Sequence, residues 1–189
     1  MNSVKLTEKF EAALVYANRL HAEQSRKISG VPYMTHLMSV AALVLESGGS
    51  EEEAIAALLH DSIEDQGGKP TREDVRQRFG DRVVEIIDGC TEWDSLPKPP
   101  WQERKNRYLE NLRHASASVR RVSLADKLHN ARSLLIDSRI YGDIVWSHLK
   151  IGREKTLWFY KSLLEVYRET GDDWMTDEFA RIVSQLAEE

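Results

Sequence analysis

The stretch that decides the fold is Leu58-Leu59-His60-Asp61-Ser62-Ile63-Glu64-Asp65, an apolar run that ends in polar residues. In a helix, His60 lies one turn before Glu64, and Asp61 one turn before Asp65. One face then presents an imidazole and three carboxylates to a common point. Because like charges raise one another's pKa, this grouping favours a bound divalent cation. We predict half of a metal site, with Glu64 and Asp65 left for acid–base chemistry; the structural alternative is a helix end facing water.

Composition limits the class of protein. The 189 residues, 41% hydrophobic and 30% charged, fit one soluble globular domain over residues 1–189. No apolar run approaches the roughly 20 residues that a membrane span needs, and the N-terminal residues form no secretory h-region. Cys90 is the only cysteine, so we expect no disulfide and a reducing, cytoplasmic setting. The net charge of −5 argues against bulk nucleic acid as a partner, and the oligomeric state stays open, a homo-oligomer included.

Apolar residues recur at intervals of three and four along most of the chain, which predicts an all-α fold. Thr7 is the expected N-cap of the first helix, and Ser50 with Glu53 forms a capping-box pattern. No segment predicts a strand with any strength. The predicted helices cover residues 7–24, 33–47, 51–65, 71–79, 81–90, 101–114, 118–136, 142–169 and 172–187, and the proline-rich residues 91–100 form the longest loop.

Two further polar residues stand out against apolar surroundings. His36 lies on an otherwise apolar helix, and Asp126 interrupts the apolar run of residues 122–135. A buried aspartate without partners is costly, so Asp126 needs a cation or several donors beside it. Taken alone, His36 could be a core histidine and Asp126 a buried acceptor. Together with His60 and Asp61, they make a set of two imidazoles and two carboxylates that suits Mn²⁺, Fe²⁺ or Zn²⁺.

Three ordered segments resemble the HD superfamily of metal-dependent phosphohydrolases, and in detail the RelA/SpoT hydrolase domain. Residues 26–36 (RKISGVPYMTH) resemble its "RKSGEPYxxHP", residues 60–65 (HDSIED) its "HDxxED", and residues 124–132 (LADKLHNAR) its "LADKLHNxR". The resemblance is strongest over residues 7–168. Within the family, the chain most resembles the stand-alone small alarmone hydrolases, similar to the metazoan SpoT homologues. It implies a single-domain, HD-type helical bundle.

The resemblance also implies an activity, which is removal of the 3′-diphosphate of (p)ppGpp to give GDP or GTP and pyrophosphate. It implies one Mn²⁺ per chain, with Fe²⁺ or Zn²⁺ as alternatives, held by His36, His60, Asp61 and Asp126. It places the catalytic pair at Glu64 and Asp65. It places the contacts to the small-molecule nucleotide at Arg26, Lys27, Lys127, Asn130 and Ser133.

Two other functions stay open. An HD phosphohydrolase acting on another nucleotide, such as the 2′-phosphate of NADPH, would use the same residues at the metal and differ only in the pocket walls. A non-catalytic nucleotide-binding module would have no use for the free acids Glu64 and Asp65. The chemistry favours hydrolysis, because a metal neutralises phosphoryl oxygens and a carboxylate one helical turn away can accept a proton.

Overall fold

The computed structural model describes residues 4–93, 97–171 and 173–189, and over this part of the chain it contains helices and no strand. The helices are α1 Glu8–Leu20, α2 Met34–Glu46, α3 Glu51–Leu59, α4 Ser62–Asp65, α5 Lys69–Phe79, α6 Asp81–Cys90, α7 Trp101–His114, α8 Ala117–Tyr141, α9 Ile144–His148, α10 Gly152–Thr170 and α11 Trp174–Glu188. The prediction of an all-α fold is confirmed. None of these helices is both long and apolar enough to cross a membrane.

Helix α3 lies at the centre of the bundle. It packs against α1, α2, α6 and α8. The six residues from Ala54 to Leu59 are all buried, because this segment is apolar on every side of the helix. Three of the six are alanines, whose small side chains let neighbouring helices approach closely. The end of α3 therefore delivers the polar residues that follow it into the interior.

Local capping sets where the helices begin. Thr7 Oγ1 accepts a hydrogen bond from the Lys9 backbone N–H at 3.2 Å, and Ser50 and Glu53 form both bonds of a capping box. Both predicted caps are confirmed. The Glu53 carboxylate is buried and also accepts two hydrogen bonds from Arg121 Nη1, at 2.7 and 2.8 Å. This ion pair joins the start of α3 to α8.

The predicted helix over residues 51–65 is wrong in one respect, since it breaks after Leu59. There, His60 Nδ1 donates to the Ala57 carbonyl at 2.8 Å, and Ser62 Oγ donates to the Leu59 carbonyl at 2.6 Å. Side-chain donors thus reach both carbonyls at the break. Helix α4 then starts at Ser62, and His60 and Asp61 form the junction between the two helices.

The predicted helix over residues 142–169 is also two helices, α9 and α10, separated at residues 149–151. Gly152 has a φ of +74°, a left-handed conformation that favours glycine. In contrast, α8 runs five residues beyond its predicted end at Ile136 and stops at Tyr141, before Gly142 with a φ of +69°. In the predicted loop of residues 91–100, residues 94–96 lie outside the described part of the chain.

Candidate metal centre and adjoining cavity

The structure brings the four predicted metal ligands together. His36 comes from α2, Asp126 from α8, and His60 and Asp61 from the α3–α4 junction. His36 Nε2 lies 3.3 Å from His60 Nε2 and 3.2 Å from Asp126 Oδ1. His60 Nε2 lies 3.6 Å from Asp126 Oδ1 and 3.1 Å from Asp61 Oδ2. His36, His60 and Asp126 are all buried, and their ligand atoms lie within 4.8 Å of one another.

The hydrogen bonds of the two imidazoles fit a cation between them. His60 Nδ1 donates to the Ala57 carbonyl, which leaves a lone pair on Nε2. His36 Nδ1 lies 2.8 Å from Nδ1 of His129, and when His36 is the donor its Nε2 also carries a lone pair. Two lone pairs facing each other at 3.3 Å repel without a positive charge. Ligands bound about 2.1 Å from one ion lie about 3.0–3.4 Å apart, close to the observed spacing.

The charges around these atoms also favour a cation. Burial opposes ionisation of Asp126, but Lys127 and His60 hold its pKa well below the usual range. Burial lowers the pKa of His36. Burial also disfavours the charged form of His60, yet Asp61 and Asp126 raise its pKa well above the usual value. The carboxylates therefore draw positive charge to the imidazoles, and a divalent ion can supply it in place of a proton.

A second ring of side chains holds the ligand carboxylates in place. Tyr33 Oη donates to Asp61 Oδ2 at 2.5 Å, Asn130 Nδ2 donates to Asp126 Oδ1 at 2.5 Å, and Lys127 Nζ donates to Asp126 Oδ2 at 2.6 Å. Such outer partners fix the orientation of metal ligands. Sequence reasoning missed the contact made by Tyr33. The spacing could have indicated it, because Tyr33 lies three residues before His36 and residues at that spacing share one helix face.

The two acids of the predicted catalytic pair have different surroundings. Glu64 Oε1 lies 2.9 Å from Lys98 Nζ, and Glu64 Oε2 accepts a hydrogen bond from the Glu92 backbone N–H at 3.3 Å. Asp65 Oδ2 accepts from Gln24 Nε2 at 2.9 Å, and Asp65 lines the cavity beside the metal centre. Helix α4 thus directs one acid to Glu92 and Lys98 and the other to the cavity. Their catalytic roles stay a prediction.

A cavity of about 420 Å³ adjoins the metal centre. Three of its lining residues, Tyr33, Lys127 and Asn130, are the ones that hydrogen-bond the ligand carboxylates. All five predicted nucleotide contacts line it, namely Arg26, Lys27, Lys127, Asn130 and Ser133. The cavity is therefore placed to hold a molecule whose reacting group reaches the metal centre.

The cavity contains one cation that the sequence did not indicate. Lys105 of α7 lines the cavity, pairs with the Glu92 carboxylate, and lies 4.3 Å from the centroid of the Phe159 ring. Burial lowers the pKa of Lys105, and the neighbouring charge of Lys127 lowers it further. Two lysines close enough to oppose each other's charge form an environment that favours a bound anion. Only the folded structure juxtaposes them, since they are 22 positions apart in the sequence.

Arg26 is held in the cavity lining by two contacts. Its Nη2 donates to Asn130 Oδ1 at 2.8 Å, and its guanidinium lies 5.7 Å from the centroid of the Tyr33 ring. Its backbone N–H donates to the Val31 carbonyl at 2.8 Å, which closes the loop between α1 and α2. The remaining lining is largely apolar and aromatic, formed by Ile28, Trp101, Leu134, Leu149, Ile151, Phe159 and Tyr160. This mixture suits a ligand with a flat ring and charged groups.

Comparison with known proteins identifies the family. The family described as HD domain matches residues 13–141. The chain belongs to the HD domain family. This membership implies dependence on a divalent metal, and the candidate ligands His36, His60 and Asp126 lie within the matched range.

Relatives of this HD domain carry names that state an activity. The chain is 37% identical over 132 residues to guanosine-3′,5′-bis(diphosphate) 3′-pyrophosphohydrolase MESH1 of Xenopus tropicalis, covering 66% of this chain and 71% of that protein. It is 34% identical over 129 residues to guanosine-3′,5′-bis(diphosphate) 3′-pyrophosphohydrolase of Aquifex aeolicus, covering 68% of this chain. The match spans 18% of the length of that longer relative.

A solved structure shares the fold of this HD domain almost throughout. It is described as a metazoan ortholog of SpoT that hydrolyses ppGpp, and it matches with a TM-score of 0.80 at 28% identity, covering 96% of this chain and 97% of that one. The predicted HD-type helical bundle is confirmed.

Proposed function

We propose that this HD domain hydrolyses guanosine 3′,5′-bis(diphosphate) and its 5′-triphosphate counterpart, releasing pyrophosphate from the 3′ position to leave GDP or GTP. The observation that carries the proposal is a cavity lined by four cationic side chains that opens beside two imidazoles and two carboxylates. The names of the relatives from Xenopus and Aquifex, which act on this nucleotide, support it.

The metal in this proposal is one Mn²⁺ per chain. His36, His60, Asp61 and Asp126 would hold it, because two imidazole nitrogens and two carboxylate oxygens suit Mn²⁺, with Fe²⁺ and Zn²⁺ as the alternatives. When bound, the ion neutralises phosphoryl oxygens and makes water a better nucleophile at neutral pH.

Asp65 is the group that we place in contact with the attacking water. Its carboxylate lines the cavity, and the Gln24 amide holds one of its oxygens, so the other can accept the proton of the water. The water oxygen bonds to the phosphorus attached at the ribose 3′ oxygen. The bond between that phosphorus and the 3′ oxygen breaks, and the 3′ oxygen takes up a proton. Glu64 instead contacts Lys98 and the Glu92 backbone N–H.

The cations of the cavity admit the polyphosphate. Lys105 of α7 and Lys127 of α8 line the cavity, and Arg26 and Lys27 lie on the loop before α2. Charge-assisted hydrogen bonds from these groups to phosphate oxygens are about twice as strong as neutral ones. They offset the negative charge of Asp61, Asp65 and Asp126, which would otherwise repel the substrate.

The setting we propose is cytoplasmic, since the single cysteine, Cys90, allows no internal disulfide.

The oligomeric state is a separate question. Light scattering of the purified protein measures whether it forms a homo-oligomer. A mass above that of the 21.7 kDa chain identifies one.

The test is pyrophosphate release from ppGpp with added Mn²⁺, compared with phosphate release from NADPH and GMP. We expect ppGpp to be the preferred substrate. Turnover of NADPH without turnover of ppGpp would overturn the substrate and keep the hydrolase class. Asp65→Asn should lower kcat by about 10²–10⁴-fold because the proton acceptor is lost, with Mn²⁺ content unchanged.

Two further variants complete this test. Glu64→Gln shows whether the second acid of the pair is needed for turnover, since it keeps the side-chain size and removes the charge that faces Lys98. Asp74→Asn, which alters an aspartate of α5 paired with Arg78 on the surface, should keep full turnover. Full turnover by Asp65→Asn would show that another group accepts the proton.

A further inference from the structure

Asp137 is a carboxylate in the cavity wall that the proposed hydrolysis does not use. It lies on α8, lines the cavity, and is only 8% exposed. Within residues 4–93, 97–171 and 173–189, no group donates a hydrogen bond to its side chain. The other carboxylate that lines the cavity in this part of the chain is Asp65, which Gln24 holds and to which we assign the proton.

The position of Asp137 follows from the spacing along α8. Asp126, Asn130, Ser133 and Asp137 are separated by four, three and four residues, so they share one helix face. Asp126 belongs to the metal centre, and Asp137 lies roughly 16 Å farther along the helix axis. Asn130 and Asp137 are roughly 10 Å apart along the same axis. That span is comparable to a ribose and a purine placed end to end.

The charge of Asp137 is opposite to what a phosphate site requires. The other ionised side chains of the cavity away from the metal are cations, and a carboxylate among them repels phosphate. Burial raises the pKa of Asp137, while the nearby Arg26 lowers it. The carboxylate lines the cavity with no donor from the described part of the chain on its oxygens, so a ligand with N–H donors at this point could satisfy it with charge-assisted hydrogen bonds.

We propose that Asp137 determines the base specificity of this chain by accepting hydrogen bonds from N1–H and N2–H of guanine. The inference rests on the proposed function, with the 3′-diphosphate at the metal centre. Adenine has a lone pair at N1 where guanine has a hydrogen, so adenine N1 and the carboxylate oxygens would repel each other. The apolar side chains of Ile28, Leu149 and Ile151 line the same cavity and can enclose the base. Arg26, whose guanidinium is planar, can stack on its face.

The test compares Asp137→Asn with the wild-type protein on ppGpp and on its adenine and inosine counterparts. The variant replaces one acceptor oxygen with a donor at nearly the same size. We expect kcat/KM for ppGpp to fall about 10- to 100-fold through KM, because a bidentate contact to the base is lost. For the adenine nucleotide, kcat/KM should be unchanged or higher. For the inosine nucleotide, which lacks the N2 amino group, kcat/KM should fall by less than it does for ppGpp.

Binding provides a readout that does not depend on hydrolysis. Calorimetry without added metal should show that the wild-type protein binds GDP more tightly than ADP, and that Asp137→Asn removes the difference. The matched control is Asp143→Asn, which changes an exposed aspartate just beyond the end of α8. This variant should leave the guanine-to-adenine ratio unchanged in both kcat/KM and binding affinity. Thermal unfolding of each variant confirms that it is folded.

The outcomes separate the two proposals. If Asp137→Asn raised kcat/KM equally for the guanine and adenine nucleotides, Asp137 would only repel phosphate. That result would overturn this assignment. Unchanged guanine-to-adenine ratios in turnover and in binding would do the same. If the wild-type protein fails to hydrolyse ppGpp but discriminates GDP from ADP through Asp137, the proposed function is wrong and the base contact stands.

Discussion

The α3–α4 junction and helix α8 both supply proposed metal ligands, but they differ in backbone geometry. The junction interrupts the helix between Leu59 and Ser62 and provides two adjacent candidate ligands, His60 and Asp61. Helix α8 continues without interruption for 25 residues and provides one candidate ligand, Asp126. Beyond that ligand, α8 presents Asn130, Ser133 and Asp137 along the cavity.

The difference shows two ways of building a site from helices. Consecutive residues of a regular helix point about 100° apart, so neighbours seldom reach one ion. At the junction, His60 and Asp61 do come together, with Nε2 and Oδ2 3.1 Å apart. A continuous helix instead places residues three and four apart on one face, which suits an extended ligand. In the proposed function, the junction therefore holds the metal, and α8 lies along the length of the substrate.

The largest expected effect tests whether both elements are needed for the metal. Asp126→Asn on α8 and Asp61→Asn at the junction each remove a negative ligand from the cluster. Each should lower kcat/KM for ppGpp about 10³-fold or more, since the metal contributes several kcal/mol to the transition state. Elemental analysis should show reduced Mn²⁺ in both variants. If Asp61→Asn alone kept full metal content and turnover, the metal site would consist of His36, His60 and Asp126 without Asp61.

An intermediate effect is expected from metal removal. A ligand present at about 100 times its Kd stabilises the folded state by about 2.7 kcal/mol, so chelation should lower Tm by about 5–10 °C. Added Mn²⁺ should restore it. Differential scanning fluorimetry measures both steps. The Asp126→Asn variant serves as the control and should respond little to the chelator; an equal response would place the ion elsewhere.

The smallest effect concerns the junction itself. Ser62 is fully buried, and its hydroxyl donates to the Leu59 carbonyl at 2.6 Å. Ser62→Ala should destabilise the protein by about 1 kcal/mol, a Tm decrease of about 2–4 °C, because the carbonyl loses its donor. The control is Ser39→Ala, where a partly buried hydroxyl donates to the Thr35 carbonyl within the uninterrupted α2. Equal decreases in Tm for the two variants would show that the bond at the junction stabilises the fold no more than the same bond within a regular helix.

Much of the fold follows from local sequence signals. Apolar periodicity predicts the helical class, and the caps at Thr7 and Ser50 depend on residues within three positions of each other. The junction after Leu59 was missed because the apolar pattern reports which side chains are buried and not whether the backbone hydrogen bonds continue. The separation of α9 from α10 was missed for a similar reason, since Gly152 acts through its backbone conformation.

The site was predicted less completely than the fold. The ligand residues have chemistry that stands out in an apolar context, so His36 and Asp126 were visible in the sequence. Lys105 and Tyr33 act through contacts between distant segments, with Glu92 in one case and Asp61 in the other. The sequence also predicted that His60, Asp61, Glu64 and Asp65 face one point, which stays a prediction. The contact between Glu64 and Lys98 was not predicted, because the two residues are far apart in the sequence.

The loop between α1 and α2 has a further consequence. Its two ends are joined by the bridge between Ser25 and Pro32, and the Gly30 N–H donates back to the Arg26 carbonyl at 2.9 Å. The Arg26 guanidinium at its base, which donates to Asn130, is thus positioned before any ligand binds, so the entropic cost of arranging it is met during folding rather than during binding. Preorganisation of this kind favours tight binding of an anionic ligand without requiring a moving lid.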